Sequence, residues 1–233
     1  VPCQFSDPSQ WIETSASGMD ESLVSKAACR VVQGTGGCPV EQTLVSAIES
    51  LEKNPEFLVD SHLLIVITAS DEDDCSAPAD STMYTGFVKG VDSSLRCSLA
   101  GHRCGGASPP TEVYATPLEN CTAAPDGGGQ LIPVRTFIDE MRRLRTQSVS
   151  VSVIAGWPDD PAGATYGIGY DASSLLPDGT LGSLPICRSS NGVAAVGLRL
   201  KELVDAFGVA GKIISICQDD FSDAMAQVGD LIN

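Results

Sequence analysis

The sequence predicts a mixed α/β fold in which a mostly parallel sheet is flanked by helices. Short apolar runs that read as strands alternate with segments whose apolar residues recur at helical spacing. The predicted order is helix, strand, long loop, helix, strand, loop, helix, strand, helix. Strands that are separated by helices indicate a parallel sheet with right-handed crossovers. The loops between them are long and contain cysteines, so we expect disulfides to staple them.

The first predicted helix opens at Cys38-Pro39, because proline suits the first helical turn. Glu41 lies where an acidic residue is favoured near the amino end, and Asn54-Pro55 ends the helix. Its apolar face comprises Leu44, Ala47, Ile48 and Leu51. The stretch Leu63–Ile67 follows, and its uncharged aliphatic and β-branched residues predict a strand buried on both faces.

A long irregular segment, Ser76 to Gln130, separates this strand from the next helix. It is rich in glycine, proline and cysteine, so we expect a functional loop or, as the alternative, a disulfide-pinned excursion with no binding role. Asn120-Cys-Thr122 fits the N-glycosylation sequon, which matters only in a eukaryotic secretory pathway.

The second half of the chain repeats the alternation of helix and strand. Helical spacing predicts helices over Pro133–Arg145 and Val196–Phe207, and a final helix headed by Asp219-Asp220. Apolar runs predict strands over Val149–Ala155 and Lys212–Cys217. A loop to Asn191 separates the second strand from the third helix.

Four consecutive acids, Asp71, Glu72, Asp73 and Asp74, follow the Leu63–Ile67 strand. In open parallel sheets, ligands bind just beyond the carboxyl ends of the strands, where these acids stand. Carboxylates in a row repel one another, so a cation is expected, and oxygen ligands favour Mg²⁺, Ca²⁺ or Mn²⁺. The alternative is a solvated acidic loop without a ligand.

Composition limits the classes of function. The 233 residues carry a net charge of −16, which argues against binding a nucleic-acid backbone and permits cation binding.

There are nine cysteines without C-x-x-C spacing and only two histidines, so disulfides in an oxidising compartment are favoured over zinc. An odd number leaves one cysteine free or paired outside this chain. The chain begins at Val1 and shows no signal peptide, so we expect a processed or truncated protein that is secreted, surface-bound or periplasmic.

Several motifs resemble the von Willebrand factor A-like domains of large secreted or surface proteins from myxobacteria and their relatives. The most specific is Ser70-Asp-Glu-Asp-Asp-Cys-Ser76. The others are Gly34-Thr-Gly-Gly-Cys-Pro-Val-Glu-Gln-Thr-Leu44, Leu95-Arg-Cys97 with Gly101 and Cys104, Ile154-Ala-Gly156 and Ser215-Ile-Cys-Gln-Asp-Asp-Phe221. Together they span nearly the whole chain from Cys29 onward.

The resemblance implies a doubly wound, three-layer sheet with a metal-ion-dependent adhesion site at its top edge. The last aspartate of the family's site matches Asp71. No threonine stands at the family's threonine position, where Glu41 is the substitute and Thr35 a second candidate. Asp73 completes the metal set that we predict, with Mg²⁺ or Ca²⁺ as the ion and a partner's carboxylate often completing the shell in the family.

The resemblance also implies that the front of the domain is missing. The family's Asp-x-Ser-x-Ser motif is absent, and Val1–Arg30 is too short for the missing strands and helix. We therefore predict one domain over residues 1–233, incomplete at its N-terminal side, with residues 1–30 as an irregular lead-in. The open edge of the Leu63–Ile67 strand is expected to be covered by another chain or a neighbouring protomer. The alternative is that the first thirty residues cover it.

Three disulfides are predicted. Cys187 and Cys217 are the first pair, because one precedes the third helix and the other ends the strand after it. Cys97 with Cys104 would close a tight local loop, and Cys29 with Cys38 would pin the approach to the first helix. Other pairings remain open, since eight cysteines allow 105 of them.

Three functions stay open at this point. The first is an extracellular module that recognises a protein or surface ligand, with or without a cation. The second is a structural subunit of an extracellular assembly with a vestigial metal site. The third is a metal-dependent hydrolase built on Asp71, Asp73 and Asp74. Asp159 and Asp219 are better explained as helix caps or loop acids, and His62 and His102 as structural histidines.

Overall fold

Helices and strands alternate along the part of the chain that the structure, a computed structural model, describes. That part comprises residues 40–58, 64–84, 90–109, 118, 120–145, 149–158, 182–183, 185–190 and 192–230. In chain order the elements are α1 (Thr43–Lys53), β1 (Leu64–Ala69), α2 (Ser93–Gly101), β2 (His102–Cys104), β3 (Cys121–Ala123), α3 (Val134–Leu144), β4 (Val149–Ala155), β5 (Cys187–Ser189), β6 (Gly192–Ala194), α4 (Leu198–Ala206), β7 (Gly211–Ser215) and α5 (Ser222–Gly229). Short 3-10 turns lie at Pro55–Leu58, Gly127–Gly129 and Gly208–Ala210.

A parallel sheet of three strands, in the order β1-β4-β7, organises the described residues. β4 lies in the middle, with Leu64 of β1 opposite Val149 and Gly211 of β7 opposite Val151. Two small antiparallel ladders, β2 with β3 and β5 with β6, lie in the long connections. The predicted mixed α/β class with a parallel sheet flanked by helices is confirmed.

One face of the sheet carries the main hydrophobic core. Residues of β1 and β4 on this face pack against α1, α3 and α4, because side chains two apart on a strand share a face. Each fully buried aliphatic side chain contributes about 1.5–3 kcal/mol. The buried members are Leu44, Ile48, Leu64, Val134, Phe137, Ile138, Met141, Val149, Val151, Val153, Ala155, Leu200, Leu203 and Val204.

The opposite face is covered by α5 where β4 meets β7. Ile154 and Ile214 pack there against Ala224 and Val228. On β1, by contrast, Ile67 is 51% exposed. The prediction that the first strand is buried on both faces is therefore wrong for this chain, and β4 is the strand that is buried throughout. The alternating Val and Ser residues of β4 do not indicate a central strand, because that position depends on the order of the strands in the sheet.

The segment between Ser76 and Gln130 is more structured than predicted. It contains α2 and the ladder of β2 with β3, and two disulfides fix it, Cys75–Cys97 and Cys104–Cys121. The predicted pairing of Cys97 with Cys104 is wrong, because α2 brings Cys97 to Cys75 and the β2–β3 ladder places Cys104 opposite Cys121. The predicted Cys187–Cys217 disulfide is confirmed.

Some predictions fall outside the described residues. These are Thr35, the Cys29–Cys38 pair, and the lead-in over residues 1–30. The described residues all belong to a compact unit, Pro39–Asn233. Within them, every helix is too short or too polar to cross a bilayer.

Candidate functional site at the carboxyl edge of the sheet

Asp73 joins the loop after β1 to the amino end of α4. Gly197, just before α4, has no side chain to cap the helix, and the carboxylate of Asp73 does so instead. It accepts hydrogen bonds from the backbone N–H groups of Arg199 (3.0 and 3.2 Å) and Leu200 (3.3 Å). Nε2 of His102 lies 2.6 Å from Oδ2 of Asp73, and both side chains are buried. Asp73 is thus a helix cap supplied from a distant part of the chain.

Asp74 does the same for α1. Gln42 makes no side-chain cap, and the N–H of Leu44 donates to Oδ1 of Asp74 at 2.9 Å. The hydroxyl of Ser76 accepts from the N–H of Val45 at 3.0 Å. The guanidinium of Arg199 donates to Oδ2 of Asp74 from Nη2 (2.8 Å) and Nε (3.2 Å). Both charged side chains are fully buried, so this ion pair is shielded from water.

These contacts explain where α1 begins. It starts at Thr43 rather than at the predicted Cys38-Pro39, because its cap comes from Asp74 and Ser76. The residue expected in its first turn, Glu41, lies ahead of the helix, and its carbonyl accepts a hydrogen bond from the N–H of Cys75 at 2.7 Å. A local capping pattern cannot predict a cap that comes from thirty residues away.

The first two acids of the quartet remain near the surface. Asp71 is exposed and Glu72 is half-buried. Burial, together with the nearby negative charges of Glu41, Asp71 and Asp92, raises the pKa of Glu72 to about 7. Glu41 itself accepts a hydrogen bond from the hydroxyl of Ser70. The four acids therefore divide into two that hold the fold and two that belong to a surface acidic group.

The predicted metal residues, Asp71, Glu41 and Asp73, do not all fit a cation site. Both oxygens of Asp73 already accept hydrogen bonds from α4, and Oδ2 also lies against Nε2 of His102. No group of three or more His, Cys, Asp or Glu side chains in the described residues is placed to hold a metal ion. Thr35, the remaining candidate ligand, lies outside them. The described residues by themselves therefore do not provide a complete set of metal ligands.

Other residues considered from sequence have local roles or lie elsewhere. Asp219 accepts hydrogen bonds from the N–H (2.9 Å) and hydroxyl (2.6 Å) of Ser190, which is a loop contact and lowers its pKa. His102 is a buried partner of Asp73. Asp159 and His62 lie outside the described residues. Arg199 was missed, because nothing in its sequence context distinguishes a buried arginine from one on a helix surface.

The outer edge of β1 carries peptide groups that no described strand pairs with. The N–H of Ser70 donates to the carbonyl of Ile154 in β4 at 3.0 Å. Peptide groups alternate in direction along a strand, so those of Leu64, Val66 and Thr68 face β4 as well. The N–H and C=O groups of Ile65, Ile67 and Ala69 therefore point to the other side, where no described strand pairs with β1.

A cavity of about 460 Å³ opens beyond the carboxyl end of β4, between β3 and α4. Its apolar lining includes Trp157, which is itself 5% exposed, and Leu198. The local sequence does not predict this cavity, because its walls come from three separated segments. The described lining residues are Cys121, Thr122, Ala123, Pro125, Trp157, Leu198, Lys201, Glu202 and Asp205.

Gly156, between β4 and Trp157, is required by a close backbone approach. A Cβ atom at this position would lie 1.7 Å from the carbonyl oxygen of Ala195. The carbonyl of Gly156 also accepts from the N–H of Gly197 at 3.1 Å, just ahead of α4. The Ile154-Ala-Gly156 motif thus has a packing reason that is independent of any ligand.

Comparison with known proteins identifies no relative: no protein-family model, no curated protein and no solved structure matches the chain. The resemblance to von Willebrand factor A-like domains therefore stays a prediction.

Proposed function

We propose that this chain is an extracellular or surface-located binding module whose partner is another polypeptide that adds a strand to β1. The observation that carries the proposal is the row of outward peptide groups at Ile65, Ile67 and Ala69. Strand addition satisfies such groups directly, and pockets for alternate side chains give it specificity.

The composition of β1 supports this use of its edge. Exposed edge strands are commonly protected by lysine, proline, a bulge or a covering element. Leu64–Ala69 contains no charge and no proline, and Ile67 is half-exposed. Outward peptide groups that no described strand pairs with, beside apolar side chains, favour association, so a strand with this sequence gains stability from a partner.

The three disulfides among the described residues support the proposed location. Cys75–Cys97, Cys104–Cys121 and Cys187–Cys217 all lie within one unit and persist in oxidising compartments. A secreted, surface or periplasmic setting is therefore part of the proposal. Covering of the edge by the first thirty residues of this same chain is the competing arrangement.

A proline scan of β1 tests the proposal. Ile67→Pro removes an N–H that points away from β4, so the domain should keep its fold and lose its partner. Val66→Pro is the matched variant, because it removes an N–H that bonds to β4 and should destabilise the domain itself. Native mass of protein purified from its source, before and after reduction, gives the readout.

We expect the native mass of the wild-type protein to exceed the mass of its own chain under denaturing, reducing conditions, which is 24.2 kDa for these 233 residues. Ile67→Pro should return to that chain mass with an unchanged melting temperature. A wild-type native mass equal to the chain mass would refute partner binding. A loss of stability in Ile67→Pro as large as in Val66→Pro would show instead that the chain itself covers this edge.

A cation-dependent form of the same proposal requires ligands from outside the described residues. Asp71 and Glu41 would be its contributions from this part of the chain, with Thr35 or a partner's carboxylate completing the shell. Titration of Mg²⁺ and Ca²⁺ against thermal stability tests it, since an ion that binds only the folded state raises the melting temperature. A rise that Asp71→Asn abolishes would establish the cation.

A further inference from the structure

We propose that the cavity between β3 and α4 binds a small organic cation, a primary ammonium on an aromatic or aliphatic body. This site is distinct from the β1 edge, because no described residue of β1 lines it. Its volume of about 460 Å³ lies in the range of small-molecule sites, about 300–1,000 Å³. It also lies beyond the carboxyl end of β4, the usual place for ligands in parallel sheets.

The body of the ligand is set by the apolar walls. Trp157 and Leu198 form one side of the cavity, with Ala123 and Pro125 contributed by β3 and the turn after it. The Nζ atom of Lys201 already lies 5.6 Å from the centre of the Trp157 ring, so this ring accommodates a cation on its face. An aromatic or aliphatic ligand would pack against these side chains, of which Pro125 is the exposed one.

The charge of the ligand is set by the three ionisable side chains of the lining. Lys201 forms an ion pair with Asp205 one helical turn away, so these two charges compensate each other. Glu202 is half-buried and makes no hydrogen bond or ion pair with the described residues. Among the described lining residues, the carboxylate of Glu202 is therefore left without an ion-pair partner, in a chain whose net charge is −16.

Burial raises the pKa of Glu202; the charge of Arg199 partly offsets this, and Asp73 and Asp205 add to it. A half-buried carboxylate without a partner is costly, and an ammonium group beside it would remove that cost. An anionic ligand would meet Glu202 and Asp205, with Lys201 already engaged. The cavity therefore discriminates by charge in favour of a cation.

The walls are held in place before any ligand arrives. The Cys104–Cys121 disulfide and the pairing of Arg103 with Thr122 fix β3 against β2. On the other wall, the cap from Asp73 fixes the start of α4. A preformed site loses little conformational entropy on binding, which favours measurable affinity for a small ligand.

Calorimetric titration with three ligands of one shape tests the proposal: 2-phenylethylammonium, neutral 2-phenylethanol and anionic 3-phenylpropanoate. We expect the ammonium to bind most tightly and the carboxylate most weakly. Glu202→Gln, which keeps the shape and removes the charge, should weaken ammonium binding about tenfold or more and leave the alcohol unchanged. Retained binding of the alcohol shows that the cavity is intact.

Two further variants sharpen the test. Glu49→Gln makes the same chemical change on the exposed face of α1 and should not alter any of the three affinities. Thr122→Lys adds a positive charge at an exposed lining position and should weaken ammonium binding without requiring any change to α4. No binding of the ammonium, affinity no better than that of the alcohol, or an unchanged affinity in Glu202→Gln would each overturn the proposal.

Discussion

The buried pair of Asp74 and Arg199 provides the sharpest test of how the acidic loop works. Asp74→Asn keeps an acceptor for the N–H of Leu44 and removes the charge opposite a guanidinium that is fully buried. Breaking a buried ion pair by removing one partner costs about 3–5 kcal/mol, against about 5–15 kcal/mol for the whole stability of a typical domain. The Nη1 atom of Arg199 already has no hydrogen-bond partner in the described residues, so the loss of the Asp74 charge would leave this buried guanidinium still less satisfied.

Urea unfolding followed by circular dichroism, with disulfides intact, measures the loss. With a slope of about 2 kcal/mol per molar, the midpoint should fall by about 2 M in Asp74→Asn. Asp71→Asn is the matched control three residues away: its side chain is exposed, and its effect should stay within about 0.5 kcal/mol.

A double variant separates the ion pair from the cap. Arg199→Met added to Asp74→Asn removes the uncompensated charge, so the double variant should be more stable than Asp74→Asn alone. A loss of less than about 1 kcal/mol in Asp74→Asn would contradict a role for this ion pair, and so would a double variant that loses the sum of both single losses.

Three other predictions concern the surface acid Glu72, the Cys187–Cys217 disulfide and the close approach at Gly156. Glu72→Gln should raise the free energy of unfolding by about 1–2 kcal/mol at pH 8 and hardly at all near pH 4. The pKa of Glu72 is raised in the folded state, so its ionisation between about pH 4.5 and 7 destabilises the wild type, and solvent screens part of this effect. Equal stabilisation at both pH values would contradict the prediction. Removing the Cys187–Cys217 disulfide with paired alanines should cost about 3–4 kcal/mol, the chain-entropy value for a loop of 30 residues, and an unchanged melting temperature would argue against it. Gly156→Ala should lower the melting temperature strongly, since its Cβ would overlap the Ala195 carbonyl, whereas Gly229→Ala, where a Cβ meets no atom within 4 Å, should have little effect.

The sequence determined the elements whose signal is local. The helix predicted over Pro133–Arg145 is α3, Val134–Leu144, and the strand predicted over Val149–Ala155 is β4 with the same bounds. Their apolar residues recur at 3.6 or 2.0 residue spacing, and that period acts over a few residues. The Cys187–Cys217 pair also followed from the order of neighbouring elements along the chain.

Only the tertiary structure decided which strand is central and what the acids do. The most apolar strand is β1, but the order β1-β4-β7 puts β4 in the middle. Four similar acids in a row have different roles, because Asp73 and Asp74 meet helix ends and an arginine more than a hundred residues away, while Asp71 meets solvent. The cavity beside Trp157 likewise joins three distant segments. Such contacts depend on how distant elements pack together, and the spacing of residues within a short segment does not predict that packing.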